Sequence, residues 1–281
     1  MGSIAAIVIT YQPGPEVTSN IQSYLGLVDH LYIADNSEPK LSFSSGILDN
    51  SKITLINTGG NEGIATRLNQ VAEKAIADGY QWLLTMDQDS YFEPEHIQAY
   101  FDYAREFPGH DQVAMFGVET VNKPELIADL SEKADQLITS GSLVNLSLYK
   151  DIGPFDESLF IDEVDHEYCY RASLRGYQVI QFTHIFLQHQ LGEAVNIKTI
   201  QGSSRSTSFH SPLRLYYMVR NFLYVREKYK DVLGHVFKVR TTALMHRIKN
   251  NLLYGPNKWQ TLKMVLLAVG DFKRGKMGKK K

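Results

Sequence analysis

The chain has a single cysteine, Cys169, among 281 residues. That excludes a disulfide framework within the chain and any zinc site built from several thiolates, and it suits a reducing compartment. No run of about 18 apolar residues occurs, so no helix is expected to span a membrane. The apolar stretch Ile4-Ala5-Ala6-Ile7-Val8-Ile9 is too short for the core of a signal peptide and has no basic residue before it, so no leader is expected. Net charge is small, −2, which gives no global pull toward nucleic acid. Disorder as the main state is excluded by the balance of 43% hydrophobic to 21% charged residues. There is no internal repeat, and no low-complexity segment apart from a lysine-rich end.

What is present begins with short apolar runs that stop abruptly in polar clusters. Ile4 to Thr10 is β-branched and almost wholly apolar, the pattern of a parallel strand buried on both faces. It ends at the loop Tyr11-Gln12-Pro13-Gly14-Pro15. Val17, Ile21, Tyr24, Leu25 and Val28 then recur at helical spacing. His30 to Ala34 reads as a second strand ending in Asp35-Asn36-Ser37, and Ile53 to Ile56 as a third. A glycine-rich loop, residues 57–63, opens a helix from Ile64 that Gly79 closes. Trp82 to Met86 is a fourth strand and runs into Asp87-Gln88-Asp89-Ser90. This order predicts a doubly wound, nucleotide-binding half, whose ligands collect beyond the carboxyl ends of the strands. Two aspartates one residue apart at such an end can converge on a hard divalent cation; the bland alternative is an ordinary turn. Further on, the pattern predicts a helix over 94–107, a strand over 113–118, an irregular stretch over 119–136, a small-residue turn at Thr139-Ser140-Gly141-Ser142, a helix over 162–175 and a strand over 177–182. From Ser211 the pattern is helical, ending in an amphipathic stretch from Trp259 to about Val269.

The ordered set of motifs resembles family 2 glycosyltransferases of the GT-A fold, and within them the rhamnosyltransferase-like branch, which is also similar to bacterial galactofuranosyl transferases. The residues that carry the resemblance cover roughly three quarters of the chain. They are Val8-Ile9-Thr10-Tyr11, Asp35-Asn36-Ser37, Asn61-Glu62-Gly63-Ile64-Ala65, Asp87-Gln88-Asp89-Ser90, Thr139-Ser140-Gly141-Ser142, Phe160-Ile161-Asp162 with Val164-Asp165, His189-Gln190-Leu191-Gly192, and the run from Arg214 to Asn221. The resemblance implies an α/β, Rossmann-like fold with a mostly parallel central sheet flanked by helices, over residues 1–210. A nucleotide-binding half would occupy about 1–118 and an acceptor half about 119–210, with 211–281 a helical extension carrying a basic amphipathic tail.

It also implies an enzyme: an inverting, metal-dependent transfer of a sugar from a nucleotide donor to a lipid-linked cell-surface polysaccharide precursor. The preferred donor is dTDP-L-rhamnose, with UDP-galactofuranose or another UDP-sugar behind it. Asp87 and Asp89 would hold Mn²⁺ or Mg²⁺ against the diphosphate, Asp89 more directly. His189 is the implied third ligand, with His184 as the competing histidine. The implied catalytic base is Asp165, six residues before Arg171; the family usually has Glu-Asp here, and Val164 stands where the Glu would be, so Asp162 is the second candidate. Acids at 162 and 165 would share one helix face. The donor set is Thr10, Tyr11, Asp35, Asn61, Gly63, Arg67, Asp87 and Gln88, with Asp35 at the pyrimidine. Arg67 has two readings, a phosphate contact and a solvated helix residue. Ser140, Gly141 and Ser142 are expected near the donor sugar or acceptor, where glycine permits close backbone approach. Arg214 and Tyr217 are expected near the acceptor.

After Lys258 come Lys263, Lys273, Arg274, Lys276, Lys279, Lys280 and Lys281 against one acid, Asp271. Trp259, Leu262, Val265, Leu266 and Val269 can share one helix face beside those lysines, as in an interfacial helix. Taken with the lipid-linked acceptor that the resemblance implies, this leads to the expectation of a cytoplasmic chain, peripheral at the inner leaflet of the cell membrane, with no nucleic-acid partner. Competing readings of the same element are a helix that packs against another protomer in a homo-oligomer, followed by a disordered tail, or a tail that contacts nothing. Two readings from other classes are a metal-dependent nucleotidyltransferase or phosphohydrolase and a non-catalytic nucleotide-binding module. The first needs a basic phosphate cradle by the first strand, and residues 11–15 contain neither lysine nor arginine.

Overall fold

A computed structural model describes residues 2–38, 45–120, 130–189, 195–198, 204–207 and 209–280. The chain divides into two compact units, residues 1–160 with 164–190, and residues 161–163 with 191–281.

The first unit is built on one mixed sheet. Strands β1 (Ile4–Thr10), β2 (His30–Asp35), β3 (Ile53–Asn57) and β4 (Trp82–Asp87) lie side by side and parallel in the order β3-β2-β1-β4. Helix α1 (Glu16–Leu25) follows β1, the single turn α2 (Ser45–Leu48) precedes β3, and α3 (Ile64–Ala77) links β3 to β4. Val17, Ile21 and Tyr24 of α1 are buried, as are Ala65, Leu68, Val71, Ala72 and Ala75 of α3. These are the positions a three-to-four-residue period places on one face.

Beyond β4 the sheet continues through β5 (Ser90–Phe92), α4 (Pro94–Glu106), β6 (Val113–Thr120), β7 (Ser131–Lys133), β8 (Ser142–Asn145), α5 (Leu146–Ile152), α6 (Val164–Leu174) and β9 (Gln178–His189). The spatial order on this side is β4-β8-β6-β9-β5, with β7 also paired to β9. The strand expected over 177–182 is therefore the first half of a longer one. β9 pairs in parallel with β6 up to Phe182, skips Thr183, His184 and Ile185, and resumes at Phe186 opposite Glu119. Such an insertion bends a strand and re-aims its end. The far half of β9 then pairs antiparallel with β5, setting His189 directly opposite Ser90. Stacking of Phe116 on Phe182, with ring centroids 5.4 Å apart, anchors the join of β6 and β9 below the bend.

Helix α6 corrects an expectation. It begins at Val164, not at residue 162, because Phe160, Asp162 and Glu163 all have positive φ, at 62°, 64° and 70°. A non-glycine residue there is strained by roughly 1–3 kcal/mol and cannot start a right-handed helix. The acids at 162 and 165 thus share no helix face. Nor is the first turn uniformly solvated: Glu167 is buried and holds Arg171 through both carboxylate oxygens, at 2.7 and 3.1 Å.

The second unit contains the two-stranded hairpin β10 (Val195–Lys198) and β11 (Ser204–Thr207) and helices α7 (Pro212–Tyr229), α8 (Gly234–Tyr254) and α9 (Lys258–Lys273). The Ser211 hydroxyl accepts from the Arg214 amide to cap α7, and Pro212 occupies its first turn. The strained residues 161–163 are held here. Asp162 pairs with Arg214 at 2.7 Å, Arg240 donates to Glu163 at 2.7 Å, and the Asn221 amide donates to the carbonyls of Ile161 and Asp162. The basic end does not trail away as a disordered tail. Arg220 donates to the Gly278 carbonyl at 2.8 Å, and the Lys280 amide donates to the Tyr217 hydroxyl at 2.8 Å. Trp259, Leu262 and Leu266 of α9 are exposed, whereas Val265 and Val269 are half-buried, so the apolar stripe is narrower than five residues. No helix among the described residues is long and apolar enough to cross a membrane.

Candidate active site

The site lies where β1, β2 and β4 end. β4 terminates at Asp87, Gln88 and Asp89 form the turn, and β5 starts at Ser90. The bend in β9 brings His189 to this turn from a hundred residues away in sequence. Ligand atoms of Asp87, Asp89 and His189 lie within 4.8 Å of one another, the only such group of acids, histidines and cysteine among the described residues. His189 Nδ1 is 3.6 Å from Asp89 Oδ1 and 2.6 Å from Ser90 Oγ. Two carboxylates and an imidazole at this separation are a donor set that fits a Mn²⁺- or Mg²⁺-class cation, with positions left open for other oxygens. His184 is not part of it. Its Nδ1 faces the Leu130 carbonyl at 2.8 Å, and its ring meets Tyr103 edge-on.

Gln88, between the two aspartates, ties this turn to the end of β1. The Tyr11 amide donates to Gln88 Oε1 at 2.8 Å, and Gln88 Nε2 donates back to the Tyr11 carbonyl at 3.3 Å. Asn20 on α1 donates to the Gln88 carbonyl at 2.9 Å. Gln88 thus acts through the backbone, leaving the Tyr11 ring half exposed at the mouth.

A second link joins the acidic turn to Asp165. The Asp87 amide donates to Ser140 Oγ at 3.1 Å, and the neighbouring Thr139 donates to Asp165 Oδ2 through its amide (2.9 Å) and its hydroxyl (3.2 Å). Asp165 Oδ1 accepts from the His166 amide at 2.9 Å. The carboxylate is partly exposed and oriented by two amides and a hydroxyl, with His166 Nε2 4.0 Å from Oδ1. Asp162, by contrast, is committed to the Arg214 guanidinium, 2.7 Å away.

Several expected site residues have internal roles. Gly141 has φ 77°, and a Cβ there would lie 2.9 Å from Val118 and 3.1 Å from Leu187, so the close approach that glycine permits is to the core. Ser142 is buried in β8, its hydroxyl donating to the Ile138 carbonyl. Gly63, at φ 87°, allows the Ile64 amide to reach the Phe160 carbonyl at 2.7 Å; a Cβ would clash with Phe160 at 2.5 Å. Asp35 is buried, with Oδ1 accepting from Thr10, the Ser37 amide and the Ser37 hydroxyl, and Oδ2 accepting from Asn57 at 2.7 Å. Asn61 accepts from the Gly63 amide and braces the same loop.

Arg67 corrects both of its readings. It is buried, so it is not a solvated helix residue. Its guanidinium donates to Asn36 Oδ1, Gln70 Oε1, the Asp35 and Gly60 carbonyls and Thr58 Oγ1 and pairs with Glu62, so its N–H groups are spent inside the protein rather than on a phosphate. Burial pulls its pKa down, and Glu62 and Asp35 oppose that. The sequence signal for this role was present in the dense polar run 57–63. A lone arginine on a helix gives no hint that the run folds around it. In the second unit, Arg214 is taken up by Asp162, and Tyr217 is buried beneath Lys280.

Residues 6–141 match the model of glycosyl transferase family 2. The chain is 26% identical to the dTDP-rhamnosyl transferase RfbF of Shigella flexneri, covering 98% of this chain and 97% of that one. Among solved structures, S. aureus TarS superposes over 97% of this chain with TM-score 0.59 at 15% identity. GalNAc-T7 with UDP, GalNAc and Mn²⁺ superposes over 96%, with TM-score 0.61 at 11% identity. The chain spans about half the length of those two chains, 49% and 55%. The solved structures establish the fold as GT-A, and the family model and the curated relative support glycosyl transfer as the activity class. Over residues 6–141, just under half of its length, the chain is similar to the family 2 glycosyltransferases.

Proposed function

We propose that the protein is an inverting, cation-dependent rhamnosyltransferase that uses dTDP-L-rhamnose as donor. The observation that carries this reading is the joining, through the Thr139-Ser140 turn, of a two-carboxylate, one-histidine cluster to a separate oriented carboxylate, Asp165. The near full-length similarity to a dTDP-rhamnosyl transferase supports the donor. UDP-linked sugars are the second choice, since structures of similar fold are described with UDP or UDP-GlcNAc.

In this reading the nucleoside lies over the ends of β1 and β2 against Tyr11, and the diphosphate faces the β4–β5 turn. A divalent cation held by Asp87, Asp89 and His189 supplies charge neutralisation for the departing diphosphate. Asp165 accepts the proton of an acceptor hydroxyl. The freed oxygen bonds to the anomeric carbon from the side opposite the diphosphate. The bond from that carbon to the diphosphate oxygen breaks, its electron pair leaves with the nucleoside diphosphate, and the centre inverts. One positioned base of this kind contributes on the order of 10²–10⁴-fold.

The acceptor proposed is a glycan on a polyprenyl lipid, met at the inner face of the cell membrane. The exposed Trp259, Leu262 and Leu266 stripe of α9, flanked by Lys258 and Lys263, supports a peripheral, surface-lying mode of attachment. The deciding experiment is transfer measured with a panel of nucleotide sugars, with and without EDTA. Transfer from dTDP-rhamnose, abolished by EDTA and restored by Mn²⁺ or Mg²⁺, is expected. Full activity in EDTA would remove the cation role, and turnover of UDP-sugars alone would remove the donor assignment.

A further inference from the structure

Ser90 stands between two of the three proposed cation ligands. It is buried, and the antiparallel register of β5 and β9 places it directly opposite His189. Its Oγ is 2.6 Å from His189 Nδ1 and 3.5 Å from Asp89 Oδ1, while Nδ1 itself is 3.6 Å from that same carboxylate oxygen.

A serine hydroxyl has one hydrogen to give and lone pairs to accept, so only two arrangements exist. In one, Ser90 donates to Nδ1. The ring proton then sits on Nε2, and the Nδ1 lone pair faces both the serine oxygen and the Asp89 carboxylate. In the other, Nδ1–H donates to Ser90 Oγ, the ring N–H lies toward the carboxylate, and the serine hydrogen is free to turn to Asp89 Oδ1. The second arrangement gives every polar atom a partner of opposite sign. It also leaves Nε2 with a bare lone pair, the state in which an imidazole nitrogen ligates a metal.

We propose that Ser90 is a positioning residue of the cation site: it selects the Nδ1–H tautomer of His189 and fixes the ring, leaving Nε2 as the nitrogen with a lone pair to give. This rests on the cation reading given above. Histidine ligands commonly donate their second N–H to an outer partner, and loss of that partner typically weakens metal affinity 10- to 100-fold. Here the partner is a hydroxyl delivered by strand register, not a carboxylate.

Two measurements on the full chain test it, neither relying on activity. In metal-free, ¹⁵N-labelled protein, long-range ¹H–¹⁵N spectra report the tautomer of His189, identified by the signals lost in His189→Gln. An Nδ1–H pattern in the wild type that reverts to Nε2–H in Ser90→Ala is expected. An Nε2–H pattern in the wild type overturns the proposal whether or not the protein binds a cation. Free Mn²⁺ followed by EPR then gives affinity. Ser90→Ala should raise the Kd about 10- to 100-fold, but by less than about twofold in a His189→Gln background. An equal loss in both backgrounds would show that the serine does not act through His189. Wild-type protein that binds no Mn²⁺ would overturn the cation reading and Ser90's role in it, while the tautomer result would stand by itself.

Discussion

Replacing Arg67 by methionine separates a buried brace from a ligand contact. Methionine is similar in length and keeps the apolar packing, but it removes every donor. The substitution strands the carbonyls of Asp35 and Gly60, Asn36 Oδ1 and Thr58 Oγ1, and it leaves Glu62 without its cation. A single stranded buried acceptor costs roughly 1–3 kcal/mol, and breaking a buried charge pair from one side roughly 3–5 kcal/mol. Glu62 is half-exposed and rehydrates, so the charge-pair cost drops out, and the four acceptors at the lower end of their range give about 4 kcal/mol in all. For a protein of this size each kcal/mol moves the midpoint by about 2–4 °C, which gives a fall in Tm on the order of 10 °C. The assay is urea and thermal unfolding by circular dichroism, with donor KM measured well below the lowered midpoint. Arg67→Lys should recover only part of the loss, because one ammonium cannot span acceptors arranged around a planar guanidinium. An Arg67→Met protein with native stability and a selectively raised donor KM would refute the reasoning and return the guanidinium to the phosphate.

Other outcomes follow from the same geometry. Asp165→Asn should lower kcat by on the order of 10²–10⁴-fold while leaving donor affinity, read by thermal shift with dTDP and Mn²⁺, nearly unchanged. Asp162→Asn, which breaks the pair with Arg214 but spares Asp165, should lose less than tenfold in kcat; the reverse ranking in steady-state kinetics would move the base to residue 162. Gly63→Ala should destabilise by more than about 1 kcal/mol in urea unfolding, because alanine is strained at φ 87° and its methyl meets Phe160. Burial pushes the Cys169 thiol far above its usual pKa. It stays protonated across the working range, so Ellman's reagent should find no reactive thiol in native protein and one in guanidinium chloride.

Much of the fold and part of the site are legible in the chain itself. The apolar runs of β1, β2 and β4 and the helical periods of α1 and α3 are local patterns, and they specify a parallel nucleotide-binding half because a strand buried on both faces has few other places to lie. The pairing of Asp87 with Asp89 needs no tertiary knowledge either, since both sit in one turn. His189 is different. Family motifs nominate it, but its seat beside Asp89 depends on a three-residue insertion in β9 that no local pattern announces. Helix α6 starts two residues later than the acid-rich spacing predicts for a related reason. Acid-rich spacing favours a helix, and only the contacts made by Arg214, Asn221 and Arg240 keep Asp162 and Glu163 at positive φ.

The sequence by itself determined the kind of protein: which strands exist, where each ends in polar residues, and that an Asp-Gln-Asp turn closes the fourth. Tertiary structure alone decided how the polar residues divide between chemistry and architecture. Arg67, Gly141 and Ser142 have the composition of ligand contacts and serve as braces, while Ser90, an ordinary turn residue by type, touches His189. The physical reason is that a polar side chain's role is set by whichever partners satisfy it once it is buried, and those partners come from strands and loops that only the sheet brings together.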